Sequence, residues 1–116
     1  TGMVRRLHLS DGRIEEVGQL PGEKPIADGM AVAADGRLFV TTVNGGGIDV
    51  LWPDGRFDRH IAAGVIPTNV VFDGATLYMT DAGVLADSAD ASFGGQLWRI
   101  DSDVAGLPTS YGRIAR

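Results

Sequence analysis

Ala27-Asp28-Gly29-Met30-Ala31-Val32-Ala33-Ala34-Asp35-Gly36-Arg37-Leu38-Phe39-Val40-Thr41-Thr42-Val43 is the stretch that decides the fold. An apolar run over 29–34 stops at Asp35-Gly36, and a second run, 38–43, follows it, rich in aromatic and β-branched residues. Asp-Gly between two such runs marks a hairpin, because the tight turn needs positive φ, which glycine adopts without steric cost. The same pair recurs at Asp11-Gly12, Asp28-Gly29, Asp54-Gly55 and Asp73-Gly74. Strands are therefore expected at 3–9, 13–20, 29–34, 38–43, 48–52, 56–61, 69–72, 76–81 and 96–100, with a weaker one at 110–115. No window of helical length carries a 3.6-residue period; 84–91 comes nearest, and its Asp, Ser and Gly residues favour a loop.

The turns repeat in register. Leu9-Ser10-Asp11-Gly12-Arg13-Ile14 aligns with Trp52-Pro53-Asp54-Gly55-Arg56-Phe57, Asp28 with Asn69, and Phe39-Val40-Thr41 with Tyr78-Met79-Thr80. Four strands in roughly 40 to 45 residues is the period of a propeller blade. A sandwich of regular hairpins lacks such a repeated register. The chain reads as an all-β partial β-propeller of about two and a half four-stranded blades: a half blade at 1–20, a full blade at 28–62, and a last blade at 68–116 with a long loop at 82–95. In this arrangement the turns at 11–12, 35–36, 54–55 and 73–74 share one face. The longer connections at 23–28, 44–47, 64–68 and 82–95 share the other, which is where function is expected.

Composition narrows the chemistry. Of 116 residues, 44% are hydrophobic and 22% charged, as in a globular chain rather than a disordered one. The net charge of −5, with no cluster of basic residues, argues against a nucleic-acid partner. The absence of cysteine excludes disulfides and thiolate metal sites. No apolar run reaches the ~20 residues of a membrane helix. No signal-peptide pattern opens the sequence, which favours the cytoplasm.

Among polar residues, Asp28 is singular: its Asp-Gly pair opens an innermost strand instead of closing a hairpin. Its carboxylate is expected near the channel mouth on the long-loop face, as a hard-cation ligand or as a strand-start cap. Asn69 is its counterpart one blade later, a ligand-orienting amide or a loop amide bonded to nearby backbone. Asn44 and Asp81 end the second strands of their blades, where Asn44 suits turn chemistry and Asp81 could cap the long loop. Trp52 and Trp98 are expected to pack between blades. Gly45-Gly46-Gly47 is not a phosphate loop, since no helix or Lys follows. His8 and His60 fall on outer strands, away from the channel.

Several segments together carry a family resemblance: Ala27-Asp28-Gly29-Met30-Ala31-Val32, Asp35-Gly36-Arg37-Leu38-Phe39-Val40, Gly46-Gly47-Ile48-Asp49-Val50-Leu51 before Pro53-Asp54-Gly55-Arg56, Pro67-Thr68-Asn69-Val70-Val71-Phe72, Thr76-Leu77-Tyr78-Met79-Thr80, and Gly95-Gln96-Leu97-Trp98-Arg99-Ile100-Asp101 before Gly106-Leu107-Pro108. In this order they resemble the C-terminal part of the gluconolactonase and senescence-marker-protein family, which includes bacterial drug-responsive lactonases. Ala27 stands where that family has proline. The resemblance implies a six-bladed propeller holding one divalent cation, Ca²⁺ first and Zn²⁺ or Mg²⁺ as alternatives. It also implies Asp28 as metal ligand and general base, Asn69 and Thr68 at the substrate, and a small-molecule lactone as that substrate. The family's Glu and Asn metal ligands precede the matching part, so the ring is expected to close with further blades or with copies of this chain. The alternative expectation is a non-catalytic propeller piece serving binding or self-assembly.

Overall fold

Three of the turns are built alike from Asp-Gly-Arg. The Gly N–H closes all three, Gly12 onto the His8 carbonyl (2.8 Å), Gly36 onto that of Ala33 (2.9 Å) and Gly55 onto that of Trp52 (2.8 Å). The Asp carboxylate then accepts the N–H of the following Arg, at 3.0 Å in Asp11–Arg13 and 3.1 Å in both Asp35–Arg37 and Asp54–Arg56. Gly12, Gly36 and Gly55 have positive φ, and among the described residues no other residue type does. The left-handed step therefore rests on glycine alone, while the aspartate ties down the backbone beyond it.

The computed structural model describes residues 2–83 and 94–108. They form β1 (Met3–Leu7), β2 (Ile14–Gln19), β3 (Ala27–Val32), β4 (Leu38–Thr42), β5 (Gly47–Leu51), β6 (Phe57–Ala62), β7 (Pro67–Asp73), β8 (Thr76–Asp81) and β9 (Gln96–Asp101). They make three antiparallel sheets in chain order, β1-β2, β3-β4-β5-β6 and β7-β8-β9. Every expected strand that falls on described residues is present. Three begin earlier than expected, because Ala27 and Gly47 both pair with Thr42 and Pro67 pairs with Asp81. The expected strand at 110–115, the stretch 84–91 and most of the 82–95 loop lie outside the described residues. Among the described residues no helix is long and apolar enough to cross a membrane.

The core lies between sheets. Val4 and Leu20 of the first sheet's region meet Val40 and Leu51 of the second. Ala33, Phe39, Ile48 and Val50 of the second meet Val70, Leu77 and Met79 of the third. Alternation along β4 explains this: Leu38, Val40 and Thr42 look toward the first sheet, and Phe39 and Thr41 toward the third. Phe39 meets Phe72 edge to face, with ring centroids 5.0 Å apart. Sheets stacked face to face in chain order, none closed on itself, define a partial β-propeller.

The two ends of the stack are tied differently. At the tight-turn end, the segment after β9 folds back onto the second sheet, with Ala34 N–H donating to Ala105 O (2.8 Å) and Leu107 N–H to Val32 O (2.9 Å). There Arg37, 5% exposed, fans its guanidinium to Asp35 (2.8 Å), Asp58 (3.3 Å) and Asp103 (3.1 Å) and lies 5.1 Å over Trp52. Burial alone would lower the Arg37 pKa, and the Asp35 and Asp103 carboxylates reverse that and raise it. Trp52, expected between blades, stacks against the Arg37 guanidinium, and Trp98 is 37% exposed.

Candidate functional site

The long-loop end gathers the residues singled out from the sequence. Pairing between β3 and β4 passes from Ala27↔Thr42 to Met30↔Val40, so Asp28 and Gly29 together oppose Thr41. The same irregularity occurs in β7, where pairing passes from Pro67↔Asp81 to Asn69↔Thr80 and leaves Thr68 extra. A bulge re-aims the side chains at the point where it occurs. Here it falls at the same place in both innermost strands. Asp28 is exposed, and among the described residues its carboxylate has no hydrogen-bond or ion-pair partner.

Thr41, fully buried, joins the two bulges. Its hydroxyl accepts the Gly29 N–H at 2.8 Å and lies 3.1 Å from Gly29 O and 3.2 Å from Thr68 O. Gly29 makes the approach of β3 to β7 possible, because a methyl group there would overlap the Asn69 backbone and side chain. The structure thus brings Asn69 against the neighbour of Asp28. The Asn69 carbonyl oxygen Oδ1 accepts the Val70 N–H at 2.9 Å, which leaves the amide NH₂ as its free donor end. The Thr68 hydroxyl is turned toward β8, 2.8 Å from the Thr80 hydroxyl and 3.2 Å from Thr80 O.

Asn44 and Asp81 brace the loops around this end. Asn44 accepts the Ile26 N–H at 2.9 Å and donates to Lys24 O at 2.5 Å, fixing the chain that leads into Asp28. Asp81, 3% exposed, accepts the backbone N–H groups of Val65 (2.7 Å), Ile66 (2.9 Å) and Gly83 (2.8 Å). Burial would raise its pKa, but the donors of Gly83, Ile66 and Val65 outweigh that and hold it below the usual carboxylate value. The residues expected as a cap and as turn chemistry do serve the backbone.

A divalent cation of the hard class takes six to eight oxygen ligands. A partnerless, solvent-facing carboxylate at the bulged start of an innermost strand suits one of them. Among the described residues no group of three or more His, Asp or Glu side chains converges to hold a metal ion. Among the described residues, the contribution to a cation at this end would be the Asp28 carboxylate.

Sequence reasoning passed over two clusters. One is the Arg37 hub. The other is on the outer strands, where the Asp49 carboxylate lies 2.8 Å from Nδ1 of His60 and accepts the Thr42 hydroxyl at 2.6 Å. Asp49 faces His60 only because the pairing of β5 with β6 slips between Leu51↔Phe57 and Val50↔Arg59, a bulge that the Asp54-Gly55 turn does not announce.

The fold and the long-loop end define a propeller whose innermost strands carry a free carboxylate at Asp28 and the Asn69 amide packed on the adjacent Gly29. The chain belongs to the SMP-30/Gluconolactonase/LRE-like region family, whose model matches residues 5–83. No curated protein matches the chain. Among solved structures it is similar to a luciferin-regenerating enzyme, with a TM-score of 0.69 and 20% sequence identity over 90% of this chain. The match spans 39% of that enzyme's length, so the shared element is part of the larger fold.

Proposed function

We propose that these residues are a segment of a divalent-cation-dependent lactone hydrolase in which Asp28 is the cation ligand and general base. The observation that carries this reading is the free, exposed Asp28 carboxylate, held by a bulge at the start of the innermost strand whose Gly29 packs on Asn69. Membership of a gluconolactonase-like family supports it. When bound, an oxygen-ligated cation, Ca²⁺ first, supplies charge that polarises a lactone carbonyl. The Asp28 carboxylate accepts a proton from the attacking water, whose oxygen bonds to the carbonyl carbon. The ring C–O bond then breaks, and the alkoxide takes the proton to give the hydroxy acid. The Asn69 NH₂ donates to the substrate and fixes its orientation, while the Thr68–Thr80 pair holds the Asn69 backbone in place.

The test is hydrolysis of a small sugar lactone by the longest natural polypeptide that carries these residues, followed by pH-stat with added Ca²⁺ and after chelation. Asp28→Asn should lower kcat on the order of 100-fold or more, and chelation should do the same to the unmodified protein. Undiminished cation-dependent hydrolysis by the Asn variant would overturn the role given to Asp28. Absence of lactone hydrolysis under every condition would favour the non-catalytic reading.

A further inference from the structure

Between the segment 21–25 and the second sheet lies a cavity of about 590 Å³, within the size range of small-molecule sites. Its apolar wall is Pro21, Pro25 and Phe57, and its polar floor is Thr42, Asp49 and His60. Asp49 has a side chain only 4% exposed, whereas that of His60 is 34% exposed. Both carboxylate oxygens of Asp49 are taken, Oδ2 by the Thr42 hydroxyl at 2.6 Å and Oδ1 by His60 Nδ1 at 2.8 Å. A carboxylate only accepts, so Nδ1 carries the proton, and in the neutral ring Nε2 is the acceptor. The ring sits over Gly47, where a Cβ would come 2.8 Å from both Cε1 and Nε2. The imidazole is thus held from one side by a buried carboxylate and seated on bare backbone. Nothing among the described residues bonds its Nε2.

We propose that this cavity is a second binding site, separate from Asp28, for a small neutral hydroxylated molecule with an apolar face. The ligand hydroxyl donates to His60 Nε2, and its carbon skeleton lies on Phe57, Pro21 and Pro25. Neutrality follows from the two free ionic side chains in the lining, Glu23 and Lys24, which oppose each other in sign. A hydroxyl donor follows from the tautomer that Asp49 imposes. A purely structural Thr42–Asp49–His60 relay would need neither an open Nε2 nor a cavity beside it.

The two histidines of the chain provide an internal control, because His8 Nε2 already faces the Arg13 guanidinium at 2.9 Å. Phenol is the probe, since it combines one neutral hydroxyl with one apolar face. Long-range ¹H–¹⁵N correlation spectra of the whole chain should show His60 with Nδ1 protonated. Added phenol should shift the His60 ring signals saturably and leave those of His8 in place. Anisole, which has the same ring with the hydroxyl capped, should bind at least about fivefold more weakly, because the bond to Nε2 is lost. Phe57→Ala should weaken phenol about fivefold without changing the His60 tautomer. Equal affinity for anisole and phenol would overturn the donor assignment. Linear, unsaturated shifts of both histidines would overturn the site itself.

Discussion

Replacing Arg37 with Met tests the idea that charge, and not only apolar contact, holds the tight-turn end of the second sheet together and ties it to Asp103 beyond β9. The side chain is 6% exposed and serves three carboxylates, Asp35, Asp58 and Asp103, whose side chains are 37%, 20% and 56% exposed. Breaking a fully buried pair by removing one partner costs about 3–5 kcal/mol. Here Asp35 and Asp103 recover water when the guanidinium leaves, so their bonds count as surface pairs of about 0.5 kcal/mol each. Asp58 keeps Arg59 at 2.8 Å, so its loss is partial, about 0.5–1 kcal/mol. The stacking over Trp52 and Phe39 adds about 0.5–1 kcal/mol. Met keeps most of the methylene packing. The sum is about 2–3 kcal/mol, to be read from urea unfolding followed by circular dichroism. Arg37→Lys should lose about half as much, because the ammonium keeps the charge but cannot fork to three acceptors. In a double-mutant cycle, Arg37→Met and Asp103→Asn should couple by about 0.5 kcal/mol. An Arg37→Met variant within 0.5 kcal/mol of the parent would refute the electrostatic lock and leave Phe39 and Phe72 as the joint.

Acid should weaken the fold in a defined window. Asp103, held low first by Arg59 and then by Arg37, and Asp81, held low by backbone donors, both have folded pKa values below the unfolded one. Their stabilisation is therefore complete above about pH 4 and lost as pH falls through the folded values, a decline that unfolding curves at stepped pH will show. Asp81→Asn should cost about 2 kcal/mol at neutral pH and flatten that acid limb, since an amide oxygen cannot serve three N–H donors as well. Gly55→Ala should cost more than about 2 kcal/mol, because positive φ is compounded by overlap of the new methyl with the Val17 carbonyl of the first sheet. Gly12→Ala, also at positive φ but in open space, should cost only about 1 kcal/mol in the same assay.

Reading strands from this chain works because each hairpin is encoded locally. Asp11-Gly12, Asp35-Gly36 and Asp54-Gly55 carry their turn geometry within a few residues, with the Asp carboxylate bonding the next Arg N–H. Alternation along 38–43 likewise reports burial on two sides. What could not be read locally is where a strand bulges, since pairing slips at Asp28-Gly29 and at Thr68 depend on a partner strand and on the neighbouring sheet. The side-chain partners of Arg37 are also non-local, since Asp103 lies 66 residues away.

By itself the sequence determined that the chain is an all-β partial propeller of antiparallel hairpins, and that Asp28 and Asn69 open corresponding innermost strands. Short-range turn chemistry and a repeat of about 40 residues suffice for that. Only the tertiary structure decided that Gly29 lets those two strands touch at that point, that buried Thr41 ties their bulges together, and that Thr68 turns its hydroxyl to Thr80. It also decided that the Asp49–His60 pair opens into a cavity. These are contacts between sheets, set by how the blades stack, and no local pattern encodes the separation of residues far apart in the chain.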